Sequence, residues 1–449
     1  MMTDEQRQHA VAAIQQALPA LEWTLQPAKI KRLSRDFHWF SPLLTEQLAG
    51  KQADAVVRPR DEEELRQLVP LEGGLLVDMT GLNQIVALGN GTVRAQAGIR
   101  LADIETAARQ TGWELRCMPS TYRLASLGGL YGGGFGGIGS INYGPLAAPG
   151  NVLSVKVMTV EPVPRVLTVP APEALLLHHA YGTNGIILEV ELALAPAHQW
   201  IERLDVFDDF ADALNYANAC VRSPGLVKRQ VALLATPIAD YFSHLNDRYH
   251  AGQHAVISLI AEESEGLCAS LLPRHRGSNA IRQASDEART RNGSLMEYCW
   301  NHTTLHALKV DNTLTYLQTA FDPLRYPQQI LQMEQHFAGE VMSHIEFLRD
   351  IEGNLTASGL QLVRYTTPER LNAIMQIFRD NDVKINNPHV LQVEDGKQGV
   401  IRPDVVAVKQ SLDPAGLLNP GKLRGWALRD QLELDGNPLA RATRETPTT

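Results

Sequence analysis

The sequence predicts an α+β fold of more than one domain, and three observations predict it. A glycine-dense but aromatic-rich stretch runs from Met118 to Gly144. Short apolar segments of strand length flank it on both sides, and residues 201 to 395 mix helical periodicity with further short strands. A chain of 449 residues is long enough for two or three domains, and a hydrophobic fraction of 44% supplies a core for each. The formal net charge of −9 argues against nucleic acid, because phosphate binding needs a basic face. No apolar run is long enough to span a membrane, and the polar N-terminus MMTDEQRQHAVAAIQQAL has no signal-peptide core. Cys117, Cys220, Cys268 and Cys299 are scattered, with no C-x-x-C pair, which reads as reduced thiols and a cytoplasmic location.

The elements follow in order. Asp4 to Leu18 has helical periodicity with Thr3 as its cap, and Pro19 and Pro27 break it, so residues 1–53 form an N-terminal helical segment. Asp54 to Arg58 is a short strand. Pro59 and Asp61 open a helix through Val69 whose first turn holds Asp61, Glu62, Glu63 and Glu64, the sign that the helix dipole favours. Gln84 to Gln96 is a hairpin, with Asn90-Gly91 as a type I′ turn signal. Leu101 to Thr111 is an amphipathic helix, Asn151 to Glu161 a half-buried strand, and Ile186 to Leu194 a strong strand. Composition shifts around Pro196 to Trp200. Beyond it, helices at Asp208–Val221, Tyr326–Phe337 and Glu369–Asp380 alternate with strands at Lys228–Ala235, Ala255–Ala261, Thr313–Thr319 and Leu360–Tyr365. The polar tail after Trp426 is expected to fray.

Nine glycines fall between Gly128 and Gly144. Glycine admits positive φ and close approach by another group, and successive N–H groups can then converge on an anion. A linker would lack aromatics. This stretch holds Tyr122, Leu124, Leu127, Leu130, Tyr131, Phe135, Ile138, Ile141 and Tyr143, so it reads as a packed backbone cradle. Gly134, Gly136 and Gly139 match G-x-G-x-x-G, as do Gly132, Gly134 and Gly137. PSTYRLAS before them is no apolar strand, and Pro145, Pro149 and Gly150 after them exclude a regular helix, so a Rossmann NAD site is rejected.

The ordered motifs MPST, ASLGG, the glycine run, Tyr143-Gly144, NVLSVKVMTVE and HHAYGTNGIILEVELALAP resemble the FAD-binding domain of FAD-linked oxidases of the p-cresol methylhydroxylase and vanillyl-alcohol oxidase family. Asp54 to Val69 is similar to that family's opening strand and helix, and VKQSLDPAGLLNPGKL, Val408 to Leu423, to its C-terminal return. The resemblance implies a two-subdomain FAD-binding domain (54–197, completed by 400–424) interrupted by an α+β cap (201–395), with a tail at 427–449. One part is missing, which reads either as a protein without that part or as an internally shortened version of an intact relative. The family's second strand and Arg-Gly-rich pyrophosphate loop have no counterpart, because Val69 runs straight into PLEGGLLVDMTGLNQI, whose Gly73 to Met79 resembles the third strand. The usual place for a histidine tethered to the flavin goes with it, so non-covalent FAD is expected.

By motif position, the resemblance implies cofactor contacts from Pro119, Ser120, Thr121, Ser126, Gly128, Gly129, Gly132, Gly133, Gly134, Gly136, Gly137, Gly139 and Ser140, then Gly182, Thr183, Gly185 and Ile187, with Asn419 closing the site. Each glycine alone is equally explained by turn geometry. Asn142 stands where the family has an arginine. Catalytic groups are expected from the cap. WNHTTLHALK, Trp300 to Lys309, read as an alternating segment, puts His302, Thr304 and His306 on one face. Histidine suits a base that takes a hydroxyl proton. His344 with Glu346 and His389 with Glu394 are further candidates, and Arg325 and Lys309 are candidates to clamp a carboxylate. No metal is expected: there is no Glu-His-Gly, and His302 and His306 would suit a metal only on a helix. The leading reading is an FAD-dependent oxidoreductase that moves a hydride from a small alcohol or hydroxyacid-type donor to flavin N5, with an unidentified electron acceptor and homodimerisation left open. The alternatives are a flavin-free or weakly flavin-binding descendant acting as a binding or scaffold protein, and a reductase that takes electrons from NADPH.

Overall fold

Three sheets carry the architecture of this computed structural model, which describes residues 3–69, 74–134, 136–291, 293–434, 436–439 and 444–445. The smallest has three strands in the order Glu22–Thr24, Ala55–Arg58, Leu75–Val77. Its first pair is antiparallel and its second parallel, in the register Ala55↔Leu75, Val56↔Leu76, Val57↔Val77. Parallel neighbours need a crossover, and helix Glu62–Leu68 supplies it, capped by the Asp61 side chain accepting from the Glu64 N–H. The strands on either side of the missing segment therefore pair directly. The turn joining helix to strand, including Gly73, lies outside the described residues.

The second sheet has seven strands, with Val152–Met158, Ile186–Pro196 and Thr92–Gln96 at its centre. The hairpin Ile85–Gly89 to Thr92–Gln96 turns through Asn90 at φ 52° and Gly91 at φ 77°, the two positive angles a type I′ turn requires. The tail, expected to fray, instead places Arg444–Glu445 antiparallel to Leu167 and Thr168, where the edge strand Val166–Pro170 offers unpaired backbone groups. The N-terminal segment is likewise not purely helical. Beyond helix Asp4–Ala17, with Thr3 in a capping box, it adds the edge strand Glu22–Thr24 to the small sheet.

The third sheet has nine strands and spans the cap. Helices Phe210–Arg222, Tyr326–Phe337 and Pro368–Asp380 cover one face through Phe210, Ala217, Ile330, Phe337, Ile374 and Phe378. The other face, with Leu204, Ala232, Ile257 and Leu362, shares one continuous core with Leu127, Tyr131 and Ile138 of the glycine stretch. Both faces being covered, Trp200–Phe207 and Lys228–Leu234 are buried along their whole lengths. Segment 300–309 is a correction. Asn301–Val310 is an α-helix, not an alternating strand.

Burial of the strand Lys228–Leu234 brings Arg229 into the seam between the sheets. Its Nη1 lies 2.9 Å from Glu105 and its Nε 3.5 Å from Glu114, and all three side chains are almost fully buried. Nη2 donates to the Leu115 carbonyl at 2.9 Å. Removing one partner of a buried pair strands the other charges. Arg229→Ala should therefore lower the unfolding free energy by about 3–5 kcal/mol; a urea-unfolding midpoint within error of wild type would refute this role.

Candidate functional site

The glycine stretch is closed into a loop by reciprocal hydrogen bonds between Met118 and Ile138, at 3.1 and 2.8 Å. Inside it, Ser126 caps the short helix Leu127–Gly133 by accepting from the Gly129 N–H at 3.2 Å. The glycines then divide into two sets. Among the described residues, a Cβ on Gly133 would meet nothing within 4 Å, one on Gly132 only the Gly182 nitrogen at 3.9 Å, and one on Gly129 only its own cap oxygen at 3.0 Å. These three sit at i, i+3 and i+4, so they form one bare helix face. A Cβ on Gly128 would lie 2.8 Å from that of Ala97, while Gly137 and Gly139 are positive-φ residues pressed on the carbonyls of Met118 and Arg116. Gly134, at φ 66°, is pressed on the His179 ring, and Gly185, at φ 72°, on Val157. Gly136 faces Trp300 of the cap, whose ring a Cβ there would approach to 3.1 Å.

The remaining expected cofactor residues separate in the same way. Pro119 and Ser120 are buried, and Ser120 Oγ accepts from the His302 N–H at 3.4 Å, so the cap helix starts directly over the glycine stretch. Thr121 is half-buried, with its carbonyl closing the turn to Leu124 and Ala125. The Ser140 and Thr183 hydroxyls are buried and donate to the carbonyls of Gly137 and Ala180. Ile187 lies half-buried on strand Ile186–Pro196, packed against the core. Asn419, at φ 42°, holds the Tyr181 and Gly182 carbonyls at 2.7 and 3.2 Å, and Gly182 is exposed. The C-terminal return is fixed there by Lys409, whose buried Nζ lies 2.6 Å from Asp413 and 2.8 Å from the Thr183 carbonyl. Asn142 has no charge to offer but donates to the Lys228 carbonyl at 2.6 Å, pinning the cap strand.

The catalytic candidates fare unequally. Arg325 is exposed and paired outward with Asp382 at 3.3 Å and Asp322 at 3.7 Å, and Lys309 is exposed. The structure does not bring Arg325 to the glycine stretch, because its position just before helix Tyr326–Phe337 puts it on the cap's outer side. His389 is bound by Ser41 at 2.7 Å and the Tyr316 carbonyl at 2.9 Å, and Glu394 by the Arg424 and Gly425 N–H groups, so these two are structural and unpaired with each other. His306 stacks on Tyr298 and reaches the Glu297 carbonyl at 3.1 Å. His302 remains: its Nδ1 is buried and has no partner among the described residues, and the same holds for Thr304 Oγ1 and His178 Nε2. His302 and His306 do lie one turn apart on a helix, with ring centroids 6.2 Å apart, but no third ligand group completes a metal cluster among the described residues.

The candidates His344 and Glu346 do pair, at 2.8 Å, but sequence reasoning missed two features. One is the buried chain they belong to, in which Glu346 accepts from the Trp300 N–H at 2.5 Å and Gln230 bridges Glu346 and the Trp300 indole. Trp300 itself sits at φ 50°, ψ −135°, which a bulky side chain rarely adopts. The other is the pair His178 and His179, signalled only by the doublet before YGTNG. His179 packs at 5.2 Å from Tyr181 and donates its N–H to the Tyr131 carbonyl. Burial lowers the pKa of His178, His179, His302 and His306 to about 4, so all four are neutral near pH 7.

The bare glycine face, the unpartnered buried polar atoms and the cleft described below fit a large, flat, polar cofactor. Such a cradle, roofed by a sheet, has the form of a cofactor-binding site. Residues 66–162 match the family described as an FAD binding domain. Two solved structures of alkyldihydroxyacetonephosphate synthase, in different crystal forms, share the fold. One has 14% identity and a TM-score of 0.56, covering 83% of this chain and 78% of that one; the other has 14% identity and a TM-score of 0.55, covering 82% and 77%. No curated protein matches. Residues 66–162 thus carry an FAD-binding domain, the chain shares the α+β fold of those structures, and the protein is an FAD-dependent enzyme. No helix among the described residues is long and apolar enough to cross a membrane, and all four cysteines are buried and free.

Two predictions follow from this geometry. Gly133→Val has room in the protein and replaces a poor helix former, so it should keep the melting temperature of the apoprotein while losing bound flavin. Gly134→Val should instead unfold locally, since it meets His179 at positive φ. Full flavin occupancy in Gly133→Val would show that the bare face holds nothing. Second, an unfolded histidine takes its proton near pH 6.5, but these four resist it down to about 4 in the fold. The unfolded state therefore binds more protons, and stability present above about pH 6.5 is lost as pH falls towards 4. The melting temperature should already drop between about pH 7 and pH 5, where most carboxylates stay ionised; a flat profile there would contradict it.

Proposed function

We propose that this enzyme takes a hydride from a small alcohol or hydroxyacid-type donor and passes the electrons to a separate acceptor. The observation that carries the reading is His302. It is neutral, its Nδ1 is unpartnered in a buried position, and its backbone is anchored on Ser120 of the cofactor segment. When bound, the flavin supplies the redox chemistry and accepts the hydride. The chain's own task is to hold the donor, exclude water and take the hydroxyl proton, and a neutral imidazole can accept that proton. The cap covering residues 201–395 would form the substrate side, and residues 54–197 with 400–424 the cofactor side. The Lys409–Thr183 and Asn419–Tyr181 contacts support that grouping.

The test is an anaerobic screen of alcohols and 2-hydroxyacids, read as bleaching of the flavin bands expected at about 370 and 450 nm. A true donor should reduce the flavin, and His302→Gln should slow that reduction by about 10²–10⁴-fold at unchanged flavin content. A flavoprotein that no such donor bleaches, or a His302→Gln enzyme reduced at the wild-type rate, would overturn the assignment. Non-covalent attachment is part of the same proposal: acid precipitation should release all flavin to the supernatant, and flavin retained on the precipitated chain would refute it.

A further inference from the structure

A cleft of about 1180 Å³ lies between the small three-stranded sheet, the first subdomain, and the second subdomain built on the seven-stranded sheet. It exceeds the roughly 300–1,000 Å³ of an ordinary small-molecule pocket. One wall is Arg58, Val77, Asp78 and Thr80; the other is Ile99, Arg100 and Ser126. The two walls differ in their electrostatics. Arg58 is already committed, at 2.7 Å from Asp78 and 3.1 Å from Glu22. Arg100 is exposed and has no ion pair or side-chain hydrogen bond among the described residues. It also has a defined place: Arg100 and Ser126 face each other in an isolated antiparallel bridge, flanked by Leu127 N–H to Ile99 carbonyl at 2.9 Å and Leu101 N–H to Ala125 carbonyl at 3.0 Å. The cleft thus runs up to the residue that caps the bare-faced glycine helix, and an uncommitted guanidinium stands beside that point.

We infer that Arg100 binds the diphosphate of the dinucleotide cofactor, reaching it from the second subdomain and doing the work of the absent Arg-Gly loop of the first. This rests on the FAD assignment. A guanidinium offers paired N–H donors whose fork matches phosphate oxygens. Asp78 does not oppose it, being neutralised by Arg58, and Asp103, one turn further along the helix Leu101–Gln110, also lines the cleft but is exposed, where water screens its charge.

The experiment titrates apoprotein with FAD and, separately, with riboflavin, which has the same ring and ribityl chain but no phosphate. Arg100→Ala should weaken FAD by about ten- to a hundredfold, the factor one or two charge-assisted hydrogen bonds carry, and leave riboflavin unchanged. Arg100→Lys should recover part of the loss, and the salt dependence of FAD binding should flatten in Arg100→Ala. Arg94, an exposed arginine near Glu189 on the adjacent strand, is the control, and Arg94→Ala should change neither ligand. FAD affinity within twofold of wild type in Arg100→Ala would overturn the inference, as would an equal loss of FAD and riboflavin, which would mark a structural role. Wild-type protein that binds neither ligand would overturn the FAD assignment and this inference with it.

Discussion

The buried meeting of Arg229 with Glu105 and Glu114 is the constraint on which the rest depends. The two carboxylates belong to helix Leu101–Gln110 and strand Trp113–Leu115, and the guanidinium to the cap. Burial pushes both acids up; Arg229 more than offsets this at Glu105, which ends below its ordinary range, and only in part at Glu114, which ends above it. Arg109 at 2.6 Å and the Trp200 indole at 2.9 Å complete the shell of Glu114. Such a cluster is weak evidence for stability against an apolar substitute of equal shape, but it allows one docking geometry, since any slip leaves a charge unpaired in a dry seam. Its value here is therefore positional. The Arg229 carbonyl accepts from the Gly139 N–H at 2.8 Å, so the residue that docks the cap also holds the cradle.

That coupling explains why the glycines cannot all serve one purpose. Gly137 and Gly139 let the chain fold back against Met118 and Arg116, which presents the Gly139 N–H to the cap. Only after the backbone is placed can Gly129, Gly132 and Gly133 leave a face empty. Trp300 closes the other side. Its left-handed backbone persists because its N–H, its indole and the glutamate they share are all fixed, the condition under which a strained residue is retained. Trp300 is thus held rigidly against Gly136, one residue before the helix that carries His302.

Local patterns were legible in the sequence and long-range ones were not. Helix Tyr326–Phe337 matches its reading residue for residue, because its apolar spacing and the proline in its first turn are local. The hairpin at Asn90-Gly91 was equally plain. The helix Asn301–Val310 was misread because a His-Thr-Thr-Leu-His run satisfies a period of two as well as one of 3.6, and contacts on several sides blur its apolar stripe. The FAD-type cradle was readable from the order of its motifs. The division of its glycines was not, since whether a missing Cβ faces a carbonyl or open space depends on chain segments elsewhere. Arg229 and Glu105 lie 124 positions apart and form no motif.

The absent pyrophosphate loop shows the same separation of fold from function. Removing a strand from a parallel sheet should leave two rows of unpaired backbone groups, each a serious penalty if buried. Here Ala55–Arg58 and Leu75–Val77 close on each other, and the Arg58–Asp78 pair fastens their ends. The Asp78–Leu82 turn still seats on Gly98, where any side chain would strike the Met79 carbonyl. The backbone hydrogen-bond requirement is thus met without the loop, and the sheet has no reason to unfold. What the closure cannot replace is the loop's positive charge and its N–H groups, because those acted on the cofactor and not on the protein. The consequence falls on the walls of the cleft, where the side chains left facing a diphosphate, and not the strands, decide whether the cofactor stays.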